Sequence, residues 1–176
     1  MWIEVVDPDD AEGELADLYE KQTAALGGPT DLTMIASLYP QLAVARAGLY
    51  QVVESCPSSL TPHERQAIAL AATAALQSEY LSSGVEHKFL AAGGSAEEAA
   101  RIRSGDLSGL TARVQQLGAY AVKVAVEPAG VVRKDVARCR ATGSSDLDIL
   151  DANNLGSYYS YLASICLGLG LTAAIG

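Results

Sequence analysis

The stretch LQSEYLSSGVEHKF, residues 76–89, contains the side chain types from which acid–base and nucleophilic sites are built. Ser78 offers a hydroxyl, Glu79 a carboxylate, Tyr80 a phenol and His87 an imidazole. Such groups move protons or attack electrophilic carbon in enzymes. We therefore interpret this stretch as the centre of the candidate functional site.

Helix geometry decides which of these groups can act together. At about 100° per residue, a continuous helix places His87 and Tyr80 nearly opposite Ser78. A Ser–His pair is therefore excluded unless the helix breaks at Gly84. His87 is expected to be exposed or at an interface, and its role stays open.

The apolar residues of the same stretch have the spacing of a core stripe. Leu81, Val85 and Phe89 recur at helical intervals, so they are expected to be buried. Glu79 and Glu86 flank that stripe and are expected to face solvent.

The remaining sequence predicts helices separated by Gly, Pro and Ser. Helix starts are indicated at Pro40 and at three capping-box patterns beginning with Thr61, Ser95 and, in a weaker version, Ser145. Further helices are predicted after Asp9–Asp10 (carried by Leu15, Leu18, Tyr19 and Leu26) and at 110–126, 132–141 and 146–169, the last with a break near Gly156. The Ala-rich segment 65–76 is expected to form the central helix. The segment WIEVV is the one candidate strand.

Composition favours a single compact domain over residues 1–176. Hydrophobic residues make up 49% of the 176, and the net charge of −9 disfavours nucleic acid and anionic membranes as partners. The sequence contains neither a signal-peptide pattern nor a clean membrane span. A cytoplasmic location is therefore expected.

The three cysteines, Cys56, Cys139 and Cys166, are odd in number and far apart. That pattern indicates reduced thiols buried as small apolar residues. His63 and His87 are the only histidines, so the sequence offers few ligands for a tetrahedral zinc site. We therefore expect no metal and no cofactor.

The run HERQAIALAATAALQSEYLSSGVEHKFLAAGGSAEEAARIRSGD resembles the AhpD-like superfamily, which includes carboxymuconolactone decarboxylases and peroxidase-related proteins. The core motif covers residues 61–105, and the likeness extends over nearly the whole chain. The opening WIEVVDPDDAEGELADLYE and the later segment MIASLYPQLAVARAGLY are similar to the peroxidase-related branch. The resemblance implies an all-α, AhpD-like helical bundle with a central helical hairpin, assembled as a homo-oligomer, a trimer or hexamer.

Redox-active members of that superfamily carry a Glu in the first helix, a Cys-x-x-Cys pair opening the second, and a His four residues later. Matched position by position, the Glu corresponds to Gln66, the two Cys to Ser78 and Leu81, and the His to Val85. Tyr80 stands between the two Cys positions. The resemblance thus implies that the redox set is missing, so thiol peroxidase activity is not expected.

Three functions follow as hypotheses. The first is a non-redox enzyme for a small organic molecule, performing a decarboxylation, isomerisation or cyclisation, with Ser78, Tyr80 and Gln66 as its catalytic groups. Its pocket would be lined by Leu81, Val85, Phe89, Glu79, Tyr158 and Tyr161. The second is an inactive binding or scaffold paralogue, whose pocket would be filled by its own side chains. The third and weakest is residual alkylhydroperoxidase activity, for which Cys139 has Arg138 and Arg140 beside it to lower its pKa.

Overall fold

The computed structural model describes residues 1–172 and is all-α, as the sequence predicted. Nine α-helices follow one another along the described chain. They are α1 (Gly13–Leu26), α2 (Asp31–Met34), α3 (Pro40–Glu54), α4 (Pro62–Ala75), α5 (Glu79–Ala91), α6 (Ala96–Arg103), α7 (Ala112–Val126), α8 (Arg133–Ala141) and α9 (Asp146–Gly168). Short 3₁₀ turns lie at Pro8–Asp10 and Pro128–Gly130. In residues 1–172, no helix combines the length and apolarity needed to cross a membrane.

The segment WIEVV is not a strand. The described chain contains no β-structure, and these residues run along the surface at the end of α9. The amide of Trp2 donates a hydrogen bond of 2.9 Å to the carbonyl oxygen of Leu169. The amide of Val6 donates to Ser37 Oγ, and the carbonyl oxygen of Val6 accepts from Tyr19 Oη. The bonding partners of the segment are thus a helix end and side chains, and it has no neighbouring strand with which to form a sheet.

All three capping boxes form. In each, a hydroxyl accepts a bond from the backbone amide three residues later, and the carboxylate of that residue accepts one in return. The pairs are Thr61 with Glu64, Ser95 with Glu98, and Ser145 with Asp148. The third pair is as complete as the others, because Asp reaches back to the cap as Glu does.

Helix α4 is the central helix, as its alanines indicated. Every residue from Arg65 to Thr73 is buried, and α4 packs against α5, α6, α7 and α9. Small side chains permit this because they let neighbouring backbones approach closely. Helices α4 and α5 form the central hairpin on which the candidate site is built.

The predicted break in the last helix at Gly156 is wrong. Helix α9 runs unbroken from Asp146 to Gly168. A Cβ atom at Gly156 would lie 2.5 Å from the carbonyl oxygen of Ala121 on α7. The glycine is therefore required for the close crossing of α7 and α9, and it leaves the helical hydrogen bonding of α9 intact.

The stretch 76–89 is not one continuous helix. Helix α4 ends at Ala75, Gln77 has a left-handed φ of 55°, and α5 begins at Glu79. Ser78 is the N-cap residue of α5, and its carbonyl oxygen accepts bonds from both the amide and the hydroxyl of Ser82. The turn at Gln77 reverses the chain into the hairpin, so the angular relation of Ser78 to its neighbours differs from the continuous-helix expectation.

The core stripe of α5 is confirmed. Leu81, Val85 and Phe89 are buried, with Phe89 fully enclosed. Glu79 is exposed, whereas Glu86 is half-buried, and both carboxylates bind Arg103 of α6 at 2.6 Å. The two ion pairs fix α6 against the outer face of α5.

Candidate functional site

A cavity of about 550 Å³ opens between five helices, α1, α2, α3, α5 and α9. Its apolar wall includes Leu18 of α1, Leu32 of α2, Leu81 and Val85 of α5, and Leu162 of α9. A volume of this size accommodates a small organic molecule. The side chains of the protein do not fill it.

A polar cluster lies on the wall between α3, α5 and α9. The ammonium of Lys88 donates hydrogen bonds to Glu54 Oε1 at 3.0 Å, Tyr159 Oη at 3.1 Å and Tyr50 Oη at 3.2 Å. Tyr159 in turn donates to Glu54 Oε1 at 3.0 Å, and Gln66 Nε2 donates to Glu54 Oε2 at 3.0 Å. Lys88, Tyr50 and Tyr159 line the cavity, and Glu54 lies behind them.

The charge states of the cluster follow from its contacts. Burial opposes ionisation of Glu54, but the charge of Lys88 and hydrogen bonds from Lys88, Gln66 and Tyr159 outweigh it, so the pKa of Glu54 lies below its ordinary value. Burial, followed by the negative charge of Glu54, raises the pKa of Tyr159 well above 10.0. At neutral pH the cluster therefore holds a carboxylate and a protonated phenol.

Arg46 of α3 also lines the cavity, and its charge is uncompensated. Its side chain is buried, with 6% of the residue exposed. Within residues 1–172 its Nη2 atom has no hydrogen-bond acceptor, and no carboxylate forms an ion pair with it. Burial raises the pKa of Tyr80 to about 12 and that of Cys166 to about 11, while the charge of Arg46 opposes both shifts. The guanidinium therefore acts on side chains of both α5 and α9.

The structure brings four of the sequence-predicted site residues to this cavity. Tyr80, Leu81, Val85 and Tyr158 line it. Tyr158 is buried, whereas Tyr80 is half-buried. Gln66 lies outside the lining and reaches the cavity only through its bond to Glu54.

Ser78 is placed outside the cavity lining. Only 1% of the residue is exposed, and its Oγ atom has no hydrogen-bond partner among the described residues. No base is positioned to take its proton. The geometry therefore offers this hydroxyl neither a ligand-accessible surface nor activation as a nucleophile.

Three further residues expected in the pocket lie elsewhere. Glu79 is exposed and ion-paired to Arg103, because its helical angle turns it away from α3. Phe89 points into the core, where its ring centroid lies 4.8 Å from that of His63. Tyr161 is 41% exposed, with its ring beside Tyr158 on the outer face of α9. His87 is exposed, as expected.

Sequence reasoning missed Arg46, Tyr50 and Glu54 on α3, together with Lys88 and Tyr159. A signal for the α3 residues is present. Arg46, Tyr50 and Glu54 stand at i, i+4 and i+8 in a helix with no other charged residue, which places them on one face. A lone cation in the run LAVARAGL is costly to bury and thereby indicates a function.

The neighbouring arginines do not lower the pKa of Cys139. Arg138 binds Asp135 at 3.3 Å and Arg140 binds Asp146 at 2.8 Å, so both charges are already neutralised. Burial, followed by the negative charge of Asp135, raises the pKa of Cys139. Its thiol is therefore a poor nucleophile.

The other two cysteines are also unactivated. Cys56, Cys139 and Cys166 are all free thiols, and burial is the largest cause of a raised pKa at each. Among residues 1–172, no group of three or more His, Cys, Asp or Glu side chains is arranged to hold a metal ion. The charged side chains of the cavity lining are two lysines and one arginine, and four tyrosines add phenol groups. The lysines are Lys21 and Lys88, and the arginine is Arg46.

The order of the helices and the central hairpin define the AhpD-like fold. The structure is similar to an uncharacterized peroxidase-related protein with an alkylhydroperoxidase AhpD core from Ralstonia eutropha JMP134, with a TM-score of 0.88 and 16% identity over 99% of this chain and 92% of that one. A peroxidase-related protein from Silicibacter sp. TM1040 gives a TM-score of 0.80 and 18% identity over 89% and 83%.

A third similar structure is the debrominase Bmp8 in complex with 2,3,4-tribromopyrrole. Its TM-score is 0.79, with 16% identity over 97% of this chain and 90% of that one. No protein-family model and no curated protein sequence matches the chain.

Proposed function

We propose that the protein is a non-redox enzyme that decarboxylates, isomerises or cyclises a small organic molecule in the cavity between α1, α2, α3, α5 and α9. The observation that carries the proposal is the open, largely apolar cavity with the Lys88–Glu54–Tyr159 cluster on one wall. A largely apolar cavity with a few converging polar groups is suited to reactions that depend on positioning and charge stabilisation.

Loss of carbon dioxide or of a proton leaves an electron pair on the substrate, usually delocalised onto an oxygen. The ammonium of Lys88 can stabilise that oxygen by exchanging its hydrogen bond to Tyr50, the longest of its three, for one to the substrate. Tyr80 and Tyr159 keep their phenolic protons at neutral pH, since the pKa of each is raised. Either phenol can return a proton to the substrate, and Glu54 is the base next to Tyr159.

Two observations support this proposal over the alternatives. A scaffold paralogue would fill its pocket with its own side chains, whereas this cavity is open. Residual alkylhydroperoxidase activity would need an activated thiol, whereas the pKa of each cysteine is raised. The debrominase complex with 2,3,4-tribromopyrrole adds that a similar fold binds a compact ring.

The test is conversion of a metabolite. Purified protein is incubated with a metabolite extract, and mass spectrometry follows compounds that are enriched on the protein and then consumed. We expect a product of unchanged mass, or one lighter by a carbon dioxide. Lys88→Met and Tyr159→Phe should slow conversion, the former by roughly 100-fold or more.

Matched controls are Arg133→Met, an exposed cation on α8, and Ser78→Ala, which lies outside the cavity lining. Both should convert the metabolite at the wild-type rate. A compound that is enriched but never altered would identify a binding protein instead. Conversion that is unaffected in both folded cluster variants would also contradict the proposal.

A further inference from the structure

We propose that the cavity binds a monocarboxylate with a compact apolar or aromatic body, and that Arg46 is the residue that binds its carboxylate. The inference deepens the proposed function and rests on it for the identity of the site. It names the class of the substrate, which neither the fold nor the similar structures supply.

The charge distribution around the cavity carries the inference. The chain has a net charge of −9, yet three cations, Lys21, Arg46 and Lys88, line the cavity. No carboxylate of residues 1–172 is part of that lining. Glu54 stands behind the lining, bonded to Lys88. A cavity with this lining attracts anions, whereas the rest of the negatively charged protein surface repels them.

Of these three cations, only Arg46 is buried without an anionic partner among the described residues. Lys88 is neutralised by Glu54 at 3.0 Å, and Lys21 is exposed to water at the cavity mouth. Arg46 has neither compensation, because it is buried and its Nη2 atom has no acceptor. An unpaired buried charge opposes folding, so it is retained at a site where a ligand neutralises it.

The geometry favours a carboxylate over a phosphate. A single planar guanidinium matches the two oxygens of one carboxylate. A phosphate dianion carries more charge than the single guanidinium of Arg46 neutralises. Beyond the guanidinium most of the lining is apolar or aromatic, including leucine, valine and tyrosine side chains, which suit an apolar or aromatic body.

The experiment compares two probes of equal shape, trans-cinnamate and its neutral amide, trans-cinnamamide. Their affinities are measured by titration calorimetry on wild-type protein, Arg46→Met, Arg46→Lys and the charge-matched control Arg133→Met. Wild type and the control should prefer the acid by about 10- to 100-fold. Arg46→Met should lose that preference and keep its affinity for the amide. Arg46→Lys should retain part of the preference, since its charge is kept without the planar fork.

Equal affinity of wild type for the two probes, or saturable binding of neither, would overturn the proposal. So would an acid preference that survives in Arg46→Met. The outcomes also distinguish failure of this inference from failure of the proposed function. An acid preference that depends on Arg46, without any metabolite conversion, keeps this inference and removes catalysis. Conversion of a neutral metabolite by wild type and Arg46→Met alike keeps catalysis and removes this inference.

Discussion

Arg65 and Asp151 form a buried ion pair in which Nη2 of the arginine lies 2.6 Å from both carboxylate oxygens. Arg65 also donates to the carbonyl oxygen of Val53 at 2.6 Å. Arg46, equally buried, has no ion pair with any described residue. The core thus contains one arginine that the fold has neutralised and one that it has not.

This contrast predicts opposite effects of the same substitution. Arg46→Met should raise the free energy of unfolding of the ligand-free protein by about 1–3 kcal/mol, because it removes an unpaired buried charge. Arg65→Met should lower it by about 3–5 kcal/mol, because it leaves the charge of Asp151 buried with only the hydroxyl of Ser58 as a partner. Urea denaturation at neutral pH measures both. Destabilisation of Arg46→Met comparable to that of Arg65→Met would mean that Arg46 is a structural residue.

The crossing of α7 and α9 at Gly156 predicts a strong penalty for a single methyl group. Gly156→Ala should lower the free energy of unfolding by about 2 kcal/mol or more, because the new Cβ would meet the backbone of Ala121 at 2.5 Å. The control Gly48→Ala, in α3, adds a Cβ with no atom within 4 Å. It should raise stability by about 0.5–1 kcal/mol through helix propensity. Equal thermal midpoints for the two variants would contradict the close crossing.

The pKa of Glu54 predicts part of the acid sensitivity of the fold. Because that pKa is lowered in the folded protein, the ionised carboxylate favours folding above the unfolded value of about 4.5, and this contribution is lost as pH falls through the folded pKa. Glu54→Gln should therefore reduce stability at neutral pH, on the order of 1 kcal/mol, and flatten the decline toward acid.

Urea denaturation between about pH 7 and about pH 3 measures this decline. Glu14→Gln, an exposed change of equal charge on α1, should follow the wild-type curve. A Glu54→Gln protein whose stability declined toward acid as steeply as that of wild type would show that the Lys88 contact contributes nothing to folding.

The raised pKa values of the three cysteines predict that their thiols react slowly. Since the pKa of all three is raised, few thiolates exist at neutral pH, and peroxide consumption with excess dithiothreitol should equal that of a cysteine-free variant. Among the three, half-buried Cys56 should react first with an alkylating reagent. Peroxide turnover that requires any one cysteine would restore the alkylhydroperoxidase hypothesis.

The parts of the fold that depend on local sequence were predictable. Capping boxes at Thr61, Ser95 and Ser145 place helix starts because their hydrogen bonds join residues three apart. The core stripe of α5 follows from helical periodicity in the same way. Gln77 and Gly156 were not predictable, because a left-handed turn and a close helix crossing depend on neighbours distant in sequence.

The candidate site was predictable only in part for the same reason. Tyr80, Leu81 and Val85 were found because they stand on the helix that the sequence pointed to. The cluster of Lys88 with Glu54 joins α5 to α3 across 34 residues, and no local pattern encodes that pairing. Ser78 looked functional by residue type, yet the turn before α5 buries it away from the cavity.

The central claim is that catalysis takes place in the cavity and needs no thiol. The most direct measurement is the conversion rate of the enriched metabolite by two variants, one lacking Cys56, Cys139 and Cys166, the other Lys88→Met. We predict that the cysteine-free protein converts the metabolite at the wild-type rate, whereas Lys88→Met is slower by roughly 100-fold or more. Loss of conversion in the cysteine-free protein, with conversion retained in Lys88→Met, would contradict the claim.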